Sequence, residues 1–290
     1  MFPGFEQDRI ELAEAELNLE VGGSGPPVLL LHGFPQTHVA WHEIAPHLAE
    51  EYTVVAPDLR GYGDSLGPTT PDTTDYTHRR MAEDMVALMD RLGFDTYDVI
   101  GHDRGARIGY RYALDHPDRV RSLAVLDIVP TLETAERMDY ESALGRYHWL
   151  FLAQPHPIPE TLINNDPDFY IEHLIDSWSD DADVIDSEAV AEYRRCFRNE
   201  RVVRACCEDY RAGLSLDLDH DRASQRAGEQ IDCPLLVLWG GVRDRDSIDV
   251  LDVWEPWATD VLGRSLPCGH FLMEEAPEAT LRELRSFLDR

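Results

Sequence analysis

Gly101-His102-Asp103-Arg104-Gly105 constrains this chain more than any other stretch. An apolar run, Tyr97-Asp98-Val99-Ile100, leads into it, and a helix-like run from Arg104 to about Leu114 leads out. Strand, tight turn and helix in that order, with a glycine two positions either side of one polar residue, read as a nucleophile elbow, G-x-Nu-x-G. The glycines let the backbone reverse sharply without Cβ clashes, and the turn lifts the central side chain above the sheet edge. That side chain is a carboxylate. A serine in this place would attack a carbonyl. An aspartate attacks a saturated carbon bearing a leaving group, or an epoxide, and is left as an ester.

The surrounding pattern fits a sheet that could carry such a turn. Apolar or alternating runs predict strands at about 17–21, 27–31, 52–56, 97–101, 121–126, 234–239 and near 262–266, with helical periodicity between them. Met81, Met85, Leu88, Met89 and Leu92 form one apolar helix face, and Leu281, Leu284 and Leu288 another. Strands alternating with helices predict an α/β domain with a mostly parallel sheet covered on both faces. The alternation lapses between about residue 131 and residue 220. That stretch is rich in Tyr, Trp, His and Asp, reads as helical, and has Pro155, Pro157, Pro159 and Pro167 at breaks. We expect a core of residues 1–130 and 221–290, and a helical cap of residues 131–220 that covers the carboxyl edge of the sheet and excludes water.

Composition excludes several classes of function. The 290 residues hold 56 acidic and 26 basic side chains, a net charge of −30, and every basic residue is Arg. Nucleic-acid binding is disfavoured, since phosphate neutralisation needs basic patches. There is no apolar run of membrane-spanning length, and the acidic Met1–Glu6 start lacks a signal-peptide pattern, so a cytoplasmic protein is expected. Five cysteines without metal spacing read as free thiols. The acidity fits an ordinary cytosolic enzyme or, as we prefer, a halophile. At molar salt the Debye length is about 3 Å, which screens repulsion among surface carboxylates. A chain so adapted loses stability in low salt.

The nucleophile needs partners. His270 lies in Pro267-Cys268-Gly269-His270-Phe271, before the final helix, where a base would deprotonate water. Two acids could orient it: Asp127, ending the 121–126 strand, and Asp244, following the 234–239 strand; residue chemistry does not separate them. His32-Gly33-Phe34-Pro35 follows a strand and offers the Phe34 backbone N–H as one oxyanion donor, with Arg104 N–H as the other. Losing such a donor costs about 3–4 kcal/mol of transition-state stabilisation. Arg104 and Arg107, at i and i+3 on the elbow helix, could grip a substrate carboxylate beside the Asp103 anion. The blander role for either is an ion pair with one of the many acids.

So assembled, the chain resembles the fluoroacetate (haloacetate) dehalogenases of the α/β-hydrolase superfamily over essentially its whole length. His32–Gln36, Asp58–Ser65, Gly101–Arg107 and Ser265–Phe271 carry the resemblance, and Asp103-Arg104-x-x-Arg107 is its most specific part. The resemblance implies an α/β-hydrolase fold with an eight-stranded, mostly parallel sheet and a helical cap after the sixth strand. It places the acid at the end of that strand, which matches Asp127, 24 residues after Asp103. It also implies a halide site of His148, Trp149 and, from Glu208-Asp209-Tyr210-Arg211, Tyr210. No metal or organic cofactor is implied. The expected partners are a small anionic haloacid and water, with a homodimer as the assembly.

The implied reaction is hydrolysis of a carbon–halide bond in a short 2-haloacid, giving a 2-hydroxyacid through an Asp103 ester. An epoxide hydrolase is the alternative, with Tyr140, Tyr147, Tyr170, Tyr193 and Tyr210 as candidate activating phenols. A haloalkane dehalogenase is less compatible, because that family wants Trp where Arg104 stands. A non-catalytic receptor would have no use for the full nucleophile–acid–base set.

Overall fold

The computed structural model describes residues 1–242 and 248–290. One eight-stranded sheet runs in the order β1-β2-β4-β3-β5-β6-β7-β8. Its strands are β1 (Phe5–Glu11), β2 (Glu16–Gly23), β3 (Pro27–Leu31), β4 (Thr53–Pro57), β5 (Tyr97–His102), β6 (Val120–Leu126), β7 (Leu235–Gly240) and β8 (Val261–Leu266). The β1–β2 and β2–β4 pairs are antiparallel, and every pair from β4 through β8 is parallel.

Alternate side chains of a strand point to opposite faces, and both faces here are dry. Leu29, Leu31, Val99, Leu123, Val125 and Val237 enter one core. Their neighbours Val28, Leu30, Ile100, Ala124, Leu126 and Leu236 enter the other. This explains why β3, β5 and β7 read as continuous apolar runs. β1 escaped sequence reading for the opposite reason. Its central residues Glu6–Arg9 are exposed on the sheet edge, so no apolar alternation marks it. Charged residues on an edge strand also discourage pairing with another chain.

Between β6 and β7 lies a helical insertion, from Thr131–Glu136 through Leu216–Ala227. Its last helix passes the expected boundary at residue 220. Pro159 and Pro167 sit in the first turns of helices Ile158–Asn165 and Pro167–Trp178, where their missing N–H groups cost nothing. All five cysteines are free. Among the described residues no helix is long and apolar enough to cross a membrane.

Candidate active site

β5 ends at His102, the helix Arg104–Asp115 begins at once, and Asp103 sits between them with φ +44°. A non-glycine residue rarely adopts this conformation, and such strain concentrates where a side chain must be aimed. Two glycines make room for the turn. A Cβ on Gly105 would collide with the Leu31 and His32 carbonyl oxygens, and one on Gly33 would lie 2.6 Å from the Asp103 Cβ. The Phe34 backbone N–H donates to Asp103 Oδ2 at 3.1 Å. Burial pushes the Asp103 carboxyl up, but the electrostatic pull of His270, then of Arg107 and Arg104, outweighs it and holds the group below the usual carboxylate range. A buried, ionised, cation-flanked carboxylate is what an oxygen nucleophile requires.

His270 lies in the loop after β8, 2.5 Å through Nδ1 from Asp127 Oδ2. Asp127 directly follows β6, with φ +60°. Its Oδ1 accepts the Gly240 N–H at 3.0 Å, and its own N–H donates to Leu238 O at 2.7 Å, so β7 fixes it. With Nδ1 engaged, Nε2 is the free edge of the imidazole. The loop is pinned by Glu275, whose carboxylate accepts the Gly269 and Phe271 N–H groups at 2.9 and 2.8 Å. His102 Nε2 donates to His270 O at 2.8 Å. Burial, then His270, pushes His102 down to about 3, so it is a neutral brace. Asp244, the other candidate acid, lies outside the described residues.

The two arginines take different positions. Arg107 lines a cavity of about 220 Å³ together with Asp103, His148, Trp149, Trp178 and His270. Its Nη1 donates to Val129 O at 3.2 Å and Thr131 Oγ1 at 3.1 Å, its guanidinium lies 4.6 Å from the Trp149 ring centre, and Nε has no protein partner. Arg104 is held by a buried acid instead. Its Nε donates to Asp209 Oδ2 at 2.9 Å, Nη2 bonds Asp209 Oδ1 and O, and Nη2 also meets His78 Nε2 at 2.9 Å. Tyr62 donates to the same Asp209 carboxylate at 2.6 Å. Of the two residues expected to grip a substrate carboxylate, Arg107 lines the cavity, whereas Arg104 is paired with Asp209 and only its Nη1 is left without a protein partner. Its guanidinium also stacks 4.6 Å from the Tyr210 ring centre.

His148, Trp149 and Tyr210 come together from helices Tyr147–Leu152 and Glu200–Gly213. Tyr210 lies edge-on to both, with ring centres 5.7 Å from His148 and 6.2 Å from Trp149. Burial pushes His148 down to about 3, leaving a neutral imidazole, and its Nδ1 has no partner. Burial and the Asp103 charge push the Tyr210 phenol far up, so it keeps its proton. Phe34 packs edge-on against Tyr210 at 5.2 Å, joining the loop that faces Asp103 to the insertion.

Sequence reading missed Trp178 and Asp209. Trp178 ends helix Pro167–Trp178, lies 4.4 Å from the His148 ring and 5.4 Å from the His270 ring, and accepts the His270 N–H at 2.9 Å. Nothing in its neighbourhood marked it. Asp209 left a trace: Glu208-Asp209 interrupt an otherwise apolar face of Val202, Val203, Ala205 and Cys206, and acids so placed need buried partners.

A parallel sheet with an elbow carboxylate after β5, an acid after β6 and a histidine after β8 defines a hydrolase scaffold. Residues 26–277 match the family of the alpha/beta hydrolase fold, and the chain belongs to that family. It is a hydrolase similar to a fluoroacetate dehalogenase from Burkholderia sp, with 45% identity over 291 residues, 99% of this chain and 95% of the relative. A soluble epoxide hydrolase from Corynebacterium sp. (strain C12) is 34% identical over 260 residues, 88% of this chain and 87% of the relative. A crystal structure of a protein from Nostoc sp PCC 7120 is 50% identical, covers 99% of both chains and superposes with a TM-score of 0.97.

Proposed function

We propose that the protein is a haloacetate dehalogenase that hydrolyses short 2-haloacids. One observation carries this reading: a buried guanidinium, Arg107, shares a cavity with the buried anionic nucleophile. A neutral epoxide or haloalkane gives that cation nothing to bind, whereas a substrate carboxylate does, and the cation offsets its repulsion from Asp103. Arg107 is the main anchor, and Arg104, held by Asp209, adds its charge.

Asp103 Oδ2 is engaged by the Phe34 N–H, so Oδ1 attacks Cα in line. The C–O bond forms as the carbon–halogen bond breaks, and the halogen leaves with the bonding pair. His148, Trp149 and Tyr210 bring imidazole, indole and phenol to the departing halide. His270 then takes a proton from water, and the hydroxide attacks the ester carbonyl carbon. The oxyanion develops on Oδ2, held by the Phe34 and Arg104 N–H groups, while Asp127 supports the imidazolium. Collapse expels the 2-hydroxyacid, whose alkoxide oxygen takes the proton from His270, and leaves Asp103 as a carboxyl group that loses the second water proton to solvent and so returns to the carboxylate. The helices between β6 and β7 serve as the cap that keeps bulk water from the reacting carbon.

Epoxide opening is the second reading, supported by the Corynebacterium relative and by Tyr210, whose protonated phenol could activate an oxirane oxygen. Two of the other candidate tyrosines are less suited. Tyr140 is 78% exposed, and Tyr193 is bonded to Glu274. Incubation with fluoroacetate, chloroacetate and styrene oxide separates the readings. Halide release from the acids is expected; diol formation with no halide release would overturn the dehalogenase reading. Arg107→Ala should raise KM for chloroacetate by about tenfold or more, the worth of a charge-assisted hydrogen bond, with a smaller effect on kcat. Steady-state kinetics check this, and an unchanged KM would remove Arg107 from substrate binding.

A further inference from the structure

Glu274 is buried one turn beyond His270, where the proposed mechanism has no task for it. Tyr193 donates to its Oε1 at 2.9 Å, and the Gln36 side-chain amide meets its Oε2. The three residues come from three segments that must agree for the site to be assembled. Gln36 lies two residues beyond Phe34, and its N–H closes that loop onto Gly33 O at 2.9 Å. Glu274 closes the turn that begins immediately after His270, its N–H donating to Phe271 O at 2.9 Å. Tyr193 belongs to helix Ser187–Phe197 of the insertion.

We propose that Glu274, in its protonated form, is a positioning residue that fastens the Phe34 loop and the His270 loop to the cap through Gln36 and Tyr193. The charge around it fits an uncharged acid. Glu275 on its own turn and Asp186 ahead of the cap helix are both acidic. On the neighbouring elements, Asp183 and Glu278 are acidic as well, His38 is taken up by Asp58 at 2.8 Å, and Arg282 and Arg285 pair with Glu283 and Glu50 at 3.7 and 2.8 Å. No cation among these is left for Glu274. Gln36 Oε1 has no partner.

Burial pushes the Glu274 carboxyl up to about 8, against the pull of Tyr193 and Gln36. The unfolded chain would release this proton near about 4.3. Stability from the group is therefore full below that value and lost as pH rises through about 8. Above it, a buried charge opens the junction.

The inference rests on the roles proposed for Phe34 and His270, and two substitutions test it. Glu274→Gln copies the neutral acid. It should keep kcat within about twofold at neutral pH and lack the alkaline fall in kcat near pH 8 that is expected of the unaltered enzyme. Glu274→Ala should lower kcat about tenfold with little change in KM. Thermal unfolding followed from about pH 6 to 9 reads the group without any substrate: the unaltered protein should lose Tm as pH rises relative to Glu274→Gln. An alkaline limb unchanged in Glu274→Gln, a Gln variant as slow as the Ala variant, or parallel Tm profiles would each overturn the proposal. Failure of the haloacid reading shows separately, as no halide release by the unaltered protein.

Discussion

Asp103→Ala should abolish halide release, lowering kcat by at least about 10⁴-fold, the scale seen when a covalent nucleophile is removed. The same substitution should tighten substrate binding. Asp103 is buried and ionised, and a haloacid carboxylate must enter the same cavity and share the Arg107 cation. Removing the enzyme's anion removes that repulsion and frees the guanidinium for the ligand. Calorimetry with acetate, which has no leaving group to lose, should therefore give a lower Kd for Asp103→Ala than for the unaltered protein. The Phe34 N–H loses its acceptor, at a cost of about 1 kcal/mol, so the fold should survive. Residual dehalogenation above 1% of the original rate would mean that Asp103 is not the attacking group.

His270→Ala should separate the two half-reactions. Alkylation of Asp103 needs no proton transfer, because the carboxylate is already ionised and the halide leaves as an anion. Ester hydrolysis does need one. The variant should release about one equivalent of halide per chain in a burst and then slow by about 10²–10⁴-fold, the usual worth of a general base. Mass spectrometry of the peptide carrying Asp103 should show an added carboxymethyl group after reaction with chloroacetate. A burst-free time course with no mass increase would argue against a covalent intermediate.

Local features of this site could be read from the chain, and long-range ones could not. The elbow is local: two glycines, a strand before and a helix after place Asp103 without tertiary information. His270 and Phe34 are similarly marked by Gly-flanked loops after strands. The acid was ambiguous because the choice depends on strand neighbours. Asp127 is fixed by Gly240 and Leu238, residues more than 100 positions away that meet it only when β6 pairs with β7. The Arg104–Asp209 pair is separated by 105 positions, and nothing near Arg104 announced it. β1 was invisible because its central residues face water on the sheet edge. The insertion was legible as helical, but Trp178 joined the site only through the way helix Pro167–Trp178 lies over His148 and His270. Glu274 looked like one more acid in an acidic chain, and only burial without a cation sets it apart.

Oxygen tracing tests covalent dehalogenation by Asp103 most directly. A single turnover is run with enzyme in excess over chloroacetate in ¹⁸O-water. In the proposed mechanism the product hydroxyl oxygen comes from Asp103, and solvent oxygen enters the Asp103 carboxylate when water attacks the ester carbonyl. The glycolate should be unlabelled, and the peptide containing Asp103 should gain one ¹⁸O. Label in the glycolate with none in the peptide would contradict the account, because it would mean that water attacks carbon directly.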